Sequence, residues 1–341
     1  MKEIPVDKAV GMVLGHDITE IVKDKFKGAR FKKGHIIKEE DVEVLKRIGK
    51  KNIYIFELGP GMIHEDEAAA YLKDMCLGDN MYVKGPNEGK YDIYADVDGL
   101  LKVDIDRLAK INTDPQMMIA SRHNNMPVKK GDKILGTRII PLVIEREKME
   151  AKKKEVGDEP IFKLMEFKDQ KAGLITTGSE VASGLIEDTF SPVVKTKLKK
   201  YNAEVTDHVT VTDNKEVIEE EIRKMLDKDL DMVVLTGGMS VDPDDKTPAA
   251  ITAASHDLVT YGAPTLPGAM FCLGYSSDGR PIMGLPGCVM YARATIFDLI
   301  LPRVAAGDRI SAEEIALLGH GGLCLECEVC TYPECSFGKG A

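Results

Sequence analysis

Short apolar runs alternate with helical spacing over residues 171–303. Residues 173–175 make one compact run, which stops at Thr176, Thr177, Gly178 and Ser179. Residues 232–235 make a second, which stops at Thr236, Gly237, Gly238, Met239 and Ser240. Residues 282–285 make a third, which stops at Pro286 and Gly287. Strands that alternate with helices predict a mostly parallel sheet covered on both faces. The expected fold is therefore a three-layer α/β domain over residues 165–310. Ligands of such open sheets bind outside the carboxyl ends of the strands. The three Gly-bearing turns are expected to converge on one crevice.

The helix starts carry their own signals. Ser191-Pro192 reads as an N-cap followed by proline at the first helical position, with Val194 and Leu198 on the apolar face. Asn202 suits the left-handed C-terminal position. Asp213 and Glu216 have capping-box spacing before Ile218, Ile222 and Met225. Thr247-Pro248 repeats the cap-plus-proline signal. Residues 290–301 predict a helix carrying Ile296, Leu299 and Ile300, ended by Pro302. A helix N-terminus offers free N–H groups and a partial positive charge, so Gly-rich turns before helices suit a phosphate or another anion.

Upstream the pattern changes. Residues 1–62 read as a small β-rich unit: the runs VGMVLGHDI, ARFKKGHIIK and KNIYIFEL are extended, and residues 39–48 are helical. His16 and His35 sit beside glycines; either could be a ligand, and a solvated turn residue is the preferred reading. Residues 63–145 predict a second, α+β unit, with SRHNN at 121–125 as a loop. Residues 146–164 read as a charged, solvated helical linker that ends near Gly157 and Pro160.

Charge and candidate chemistry narrow the function. A net charge of −10 argues against nucleic-acid binding. No apolar run approaches the roughly 20 residues that span a bilayer, and the first ten residues lack a signal-peptide core. A cytoplasmic location is the expectation. Asp242, Asp244 and Asp245 crowd one loop, and Glu180, Glu187 and Asp188 another. A phosphate site among so many carboxylates needs a cation, and Mg²⁺ bridges carboxylate to phosphate while keeping its waters. Capping is the plain alternative for any one of these acids. For three aspartates around a GGMS turn the ligand reading is preferred.

The tail, residues 311–341, carries Cys324, Cys327, Cys330 and Cys335 in a C-x₂-C-x₂-C-x₄-C run. Four close thiolates match the ligand count of a [4Fe–4S] cluster or a structural Zn²⁺. Compact spacing ranks iron–sulfur above zinc, and both above free thiols. Cys76 and Cys272 read as core. Cys288 reads as a small buried residue or as a group facing the ligand.

The stretch 171–306 resembles the molybdopterin-binding domain of molybdenum-cofactor biosynthesis proteins. TTGSE, from Thr176 through Gly178 and Ser179 to Glu180, is similar to the family's first ligand loop, and TGGMSVDPDD, from Thr236 to Asp245, to its second. Asp245, Thr247, Pro248 and Ala250 resemble the D-x-T-P-x-A run of the adenylyltransferase branch, and GLPG, which includes Pro286 and Gly287, the third loop. Ser179 stands where the molybdenumtransferase branch has aspartate, Cys288-Val289 where it has Asn-Pro, and the tail where it has a C-terminal β domain. The resemblance implies binding of adenylated molybdopterin and insertion of molybdate with Mg²⁺. It also implies a homodimer, and a molybdoenzyme or another assembly protein as partner. Thr176, Thr177, Gly178, Ser179, Glu180, Gly237, Gly238, Met239, Ser240, Thr247, Pro286 and Gly287 would hold the pterin and its phosphate. Asp188, Asp242 and Asp245 would be catalytic, with Asp244 and Asp245 on the metal. Adenylyl transfer, or a non-catalytic carrier or sensor of the cofactor, are the alternatives.

Overall fold

The computed structural model describes residues 2–22, 26–56 and 59–340. Glu57 and Leu58, at the end of the third extended run, lie outside the described residues. The chain divides into two compact units. One comprises Met1–Asp96, Val103–Arg122 and Lys130–Leu164; the other comprises Val97–Lys102, His123–Lys129 and Met165–Ala341. Among the described residues no helix is long and apolar enough to cross a membrane.

The first unit opens on two strand pairs. Lys2–Pro5 runs antiparallel to Asn52–Ile55, and Ile18–Val22 to Phe26–Phe31. With helix Glu39–Arg47 they enclose Val6, Leu14, Ile18, Ile37, Leu45 and Ile53. His35 is not a plain solvated turn residue, because its Nε2 lies 2.6 Å from the Asp41 carboxylate. Asp41 also accepts the Lys38 N–H at 2.9 Å and so caps the helix. A four-stranded antiparallel sheet follows, in the order Met81–Asn87, Lys90–Ala95, Lys133–Ile139, Met117–Ser121. The expected solvated linker differs in the structure. Val143–Glu145 pairs with Met62–His64, and helix Arg146–Val156 buries Met149 and Val156. Two apolar residues seven apart suffice to give this charged helix an inner edge.

The second unit holds a six-stranded sheet. Its strands are β1 (Gln170–Thr177), β2 (Ala203–Val211), β3 (Met232–Thr236), β4 (Asp257–Tyr261), β5 (Cys272–Tyr275) and β6 (Pro281–Leu285), in the order β2-β1-β3-β6-β5-β4. The first four in that order are parallel, whereas β5 runs antiparallel to both of its neighbours. The α/β, mostly parallel expectation holds. Side chains alternate across the sheet. Leu174, Val234 and Met283 face helices α1 (Phe190–Lys199) and α4 (Ile296–Ala305). Ile175, Val233, Leu235 and Ile282 face α2 (Lys215–Leu226) and α3 (Thr247–Ala254). Each such side chain, fully buried, contributes about 1.5–3 kcal/mol. The two cores make the sheet the rigid base of the site.

Helix boundaries correct the sequence reading in four places. Helix α3 starts at Thr247 itself, after Lys246, so Thr247 is not its cap and turns its hydroxyl to Thr177 at 3.1 Å. Helix α1 starts at Phe190, not after Ser191, because the Asp188 carboxylate accepts the N–H groups of both Phe190 and Ser191 at 3.0 Å. Helix α2 is capped by Asn214, whose side chain accepts the Val217 N–H at 3.0 Å, while Asp213 turns to Ser179. Helix α4 starts at Ile296 under a Thr295–Asp298 capping box, and Pro302 lies inside it. A proline there removes one N–H and frees the carbonyl four residues back, which is that of Asp298. The Tyr332 hydroxyl donates to that carbonyl at 2.7 Å. The tail thus replaces the bond that proline removes.

Tyr332→Phe should leave the Asp298 carbonyl without that donor. A loss of about 1–3 kcal/mol in urea unfolding is expected; a variant as stable as the parent would show the carbonyl to be satisfied otherwise.

Candidate functional site

The ends of β1, β3 and β6 carry the three loops, and close contacts tie the loops to one another. Thr176 and Thr177 are the last residues of β1 rather than turn residues, and both are buried. Thr236 likewise ends β3, also buried. Parallel pairing on either side holds these hydroxyl residues in strand geometry. Gly237 follows at φ +90°, and a Cβ placed there would lie 2.1 Å from the Thr177 carbonyl oxygen. Only glycine lets the second loop cross the first this closely. Gly238 continues left-handed at φ +54°, with the Thr247 hydroxyl 2.8 Å from where its Cβ would be. The Thr177 and Thr247 hydroxyls meet at 3.1 Å, joining the first loop to the start of α3. Buried Met239 packs its sulfur over Gly284, the first residue of the GLPG run. Thr189, from the first loop, donates to the Met290 sulfur of the third at 3.1 Å.

Under the first loop lies a polar network. Thr176 Oγ1 donates to Asp188 Oδ2 at 3.1 Å and lies 3.0 Å from both Ser191 Oγ and His208 Nε2. The Ser191 hydroxyl donates to the same Asp188 oxygen. Burial works against the Asp188 charge. Hydrogen bonds from Ser191, Thr176 and the Phe190 N–H outweigh it and hold the carboxyl below its usual range. Burial lowers His208, helped by Lys195 and opposed by Asp188, so the imidazole favours its neutral form. Asp188 is thereby a capping and network residue as well as a candidate catalyst.

The remaining sequence-derived residues distribute as follows. Gly178 stands at φ +143° and donates its N–H to the Val211 carbonyl at 3.1 Å. Ser179 donates its N–H to Asp213 at 2.8 Å, and Glu180 is exposed on the short turn of helix Ser179–Ala182. Ser240, Asp242 and Asp244 are exposed, and Asp245 is half-buried with its N–H on the Asp242 carbonyl at 3.0 Å. Among the described residues these aspartates do not close on one point as a ready-made metal cage would. Pro286 is buried and Gly287 exposed at the start of the turn Gly287–Met290. Cys288 is half-buried in that turn, and burial pushes its thiol up, away from thiolate. Cys272 is core, its thiol pushed up to about 12 by burial. Cys76 is also core.

Cys324, Cys327, Cys330 and Cys335 all line one cavity of about 690 Å³. Cys324 and Cys335 are half-buried, and Cys327 and Cys330 are exposed.

Four contributors escape sequence patterning. His208 and Ser191 complete the network, Asp213 anchors Ser179, and the Tyr261 hydroxyl donates to the carbonyls of Met239 at 3.3 Å and Ser240 at 3.2 Å. Tyr261 ends β4, an edge strand, where nothing local announces a partner. His208 leaves a trace as a polar position in the alternation along β2, and Ser191 and Asp213 only as cap signals.

A further polar cluster belongs to the first unit. Buried His64, Glu65 and half-buried Asp66 open helix Glu65–Cys76. His64 Nε2 donates to the Gly15 carbonyl at 2.8 Å, which leaves Nδ1 to accept from the Asp66 N–H. Lys33 Nζ lies 2.5 Å from that Nδ1 and 3.1 Å from the Asp66 carboxylate, filling the place a cation would take. Burial, with the Asp66 charge beside it, pushes the Glu65 carboxyl up to about 7.

Comparison with known proteins fits the second unit. Residues 173–306 match the family described as "Probable molybdopterin binding domain". That segment is similar to this family, over less than half of the chain. Residues 3–57 match a family described as a domain of unknown function. Among curated relatives, a molybdopterin molybdenumtransferase of Haemophilus influenzae is 27% identical over 187 residues, covering 52% of this chain and 43% of its own length. A CinA-like protein of Mycobacterium marinum is 33% identical over 78 residues, covering 23% of this chain and 18% of its own. The chain thus spans less than half the length of either relative. Among solved structures, the molybdopterin biosynthesis enzyme MoaB of Thermus thermophilus is 22% identical, with a TM-score of 0.36 over 40% of this chain and 97% of its own. The molybdopterin-binding domain has its three loops within the matched segment.

Gly237→Ala should destabilise the second unit by at least about 1–3 kcal/mol, since both the left-handed φ and the Thr177 contact resist a side chain. Chemical denaturation checks this, and an unchanged midpoint would show that the loops are not in contact. In the first unit, the folded state raises Glu65 from 4.5 to about 7 and so holds its proton more tightly than the unfolded chain does. The stability this confers is fully present below pH 4.5 and is lost as pH rises through about 7. Glu65→Gln should flatten that decline in a series of melts across pH. An equally steep decline in the variant would assign it to other groups.

Proposed function

We propose that the second unit binds adenylated molybdopterin and that the chain serves molybdenum (or tungsten) cofactor assembly by releasing AMP as molybdate is inserted. One observation carries the reading. Three loops meet at the carboxyl end of the parallel strands, and the glycine pair Gly237–Gly238 lets the second loop cross the first beside the hydroxyls of Thr177 and Thr247. N–H groups of the second glycine loop would hold phosphate, as the backbone of such loops does. The hydroxyls of Thr177 and Thr247 stand beside them. Tyr261 fixes the second loop from the side, so the cradle is set before the ligand arrives and catalysis is chiefly positioning.

The acids of the second loop fit Mg²⁺. That ion keeps several waters and takes one or two carboxylates, so a loose, exposed set of hard oxygens suits it better than a closed cage. Asp242, Asp244 and Asp245 would supply the carboxylates, and the ion would neutralise phosphoanhydride charge. Asp245, half-buried and two residues before Thr247, is the acid nearest the α3 start in the chain. The D-x-T-P-x-A run from Asp245 supports adenylyl transfer as the alternative chemistry. A carrier or sensor role also has a specific observation behind it: Asp188, the first loop's acid, is already committed to four donors. The family resemblance supports a homodimer and a molybdoenzyme or assembly protein as recipient. The cysteines of the tail are read as metal ligands, for an iron–sulfur cluster or for zinc.

The test supplies adenylated molybdopterin, molybdate and Mg²⁺ to anaerobically purified protein and follows AMP. Molybdate-dependent release is expected. Asp245→Ala should lower it by about two orders of magnitude, the scale on which loss of a charge-stabilising group slows turnover, while pterin affinity changes less than about tenfold. Tight binding without release in the parent protein would leave the carrier.

A further inference from the structure

Two readings of the tail differ in geometry. A mononuclear zinc site with thiolates at 2.3 Å needs its sulfurs about 3.8 Å apart. Among the described residues, no three of these sulfurs come within 4.8 Å of one another. The four cysteine residues are among those lining a cavity of about 690 Å³, together with Tyr291, Arg293, Tyr332 and Phe337. A cubane cluster takes one thiolate at each of four iron corners, so it needs sulfurs set around a volume rather than drawn to a point. The C-x₂-C-x₂-C start matches the spacing of bacterial cluster loops. Glu326, between the first two cysteines, takes a left-handed φ of 50° and turns the chain there.

The cavity also has a wall that is not tail. Tyr291, Ala292, Arg293 and Ala294 line it, and they connect the third ligand loop to α4. Arg293 donates to the Glu328 carbonyl of the cysteine loop at 2.7 Å. Met290, the residue before this wall, accepts from Thr189 of the first loop. Cys324 donates its N–H to the Leu266 carbonyl at 2.8 Å, and Phe337, Cys324 and Cys335 pack with Ala294 and Leu299.

From this arrangement we propose that the four cysteines hold a [4Fe–4S] cluster, and that loading it stiffens the third ligand loop through Tyr291–Arg293–Ala294. The proposal rests on the metal-ligand reading of the tail and names its occupant and effect. On transfer of a preformed cluster, the four thiols release their protons to solvent. Their sulfurs then replace the donor's ligands on iron, one bond for one bond, and no electron changes hands. Exposed Cys327 and Cys330 give the entry side; half-buried Cys324 and Cys335 form the floor.

The full-length chain would be loaded anaerobically by cluster transfer and assayed for iron, acid-labile sulfide and zinc. Amide exchange over residues 287–294 would be compared with and without the cluster. The expected result is four irons and four sulfides per chain, an electron-spin signal on reduction, and exchange at 287–294 slowed at least about fivefold, the low end of typical coupling. Cys330→Ser should lose the intact cluster, and Cys288→Ser should retain it. One zinc per chain without sulfide overturns the occupant but keeps a metal tail. No bound metal overturns both. A bound cluster with unchanged exchange overturns the link to the loop. None of these outcomes depends on whether pterin binds, so the proposal and the reading of the crevice fail separately.

Discussion

The Asp298 carboxylate holds the second unit's far layer together. It accepts the Lys197 ammonium at 2.6 and 2.7 Å, and it caps α4 through the Thr295 N–H at 2.8 Å and hydroxyl at 3.1 Å. Both charged side chains are nearly buried. A buried ion pair of this kind returns little net stability against two hydrophobic residues, but losing one partner costs about 3–5 kcal/mol. The pair therefore acts mainly as a register device. It fixes α1 against the start of α4, and those two elements follow the first and third loops. Its backbone carbonyl, taken by Tyr332, brings the tail into the same register.

That dependence explains what could be read from sequence. The sheet was legible because each strand is a compact apolar run, such as residues 232–235 and 282–285, and because buried parallel strands need no alternation. The loops were legible because glycine, proline and clustered acids mark them. Helix starts were read less well. Ser191-Pro192 and Asp213 both looked like caps, yet the caps are Asp188 and Asn214. Several polar residues near each start compete for the same N–H groups, and tertiary partners decide among them: Asp213 is drawn to Ser179, and Ser191 into the Thr176 network.

Pro302 shows the same limit more sharply. Local rules end a helix at proline. Here a hydroxyl from a segment thirty residues later takes the freed carbonyl, and the helix continues to Ala305. No window of neighbouring residues contains that information. The His208 and Tyr261 contributions were hidden for the same reason, since each acts across strands on a loop distant in sequence. The charged helix Arg146–Val156 failed in the other direction, because two buried residues outweigh many exposed charges.

The Asp188 network has an electrostatic consequence. A carboxyl held below its usual range favours its ionised form, so the network beneath the first loop carries negative charge at neutral pH. Asp242, Asp244 and Glu180 add exposed negative charge around the rim. Lys195, 3.4 Å from His208 Nδ1, and Lys246, next to Asp245 in the chain, set positive charge among these carboxylates.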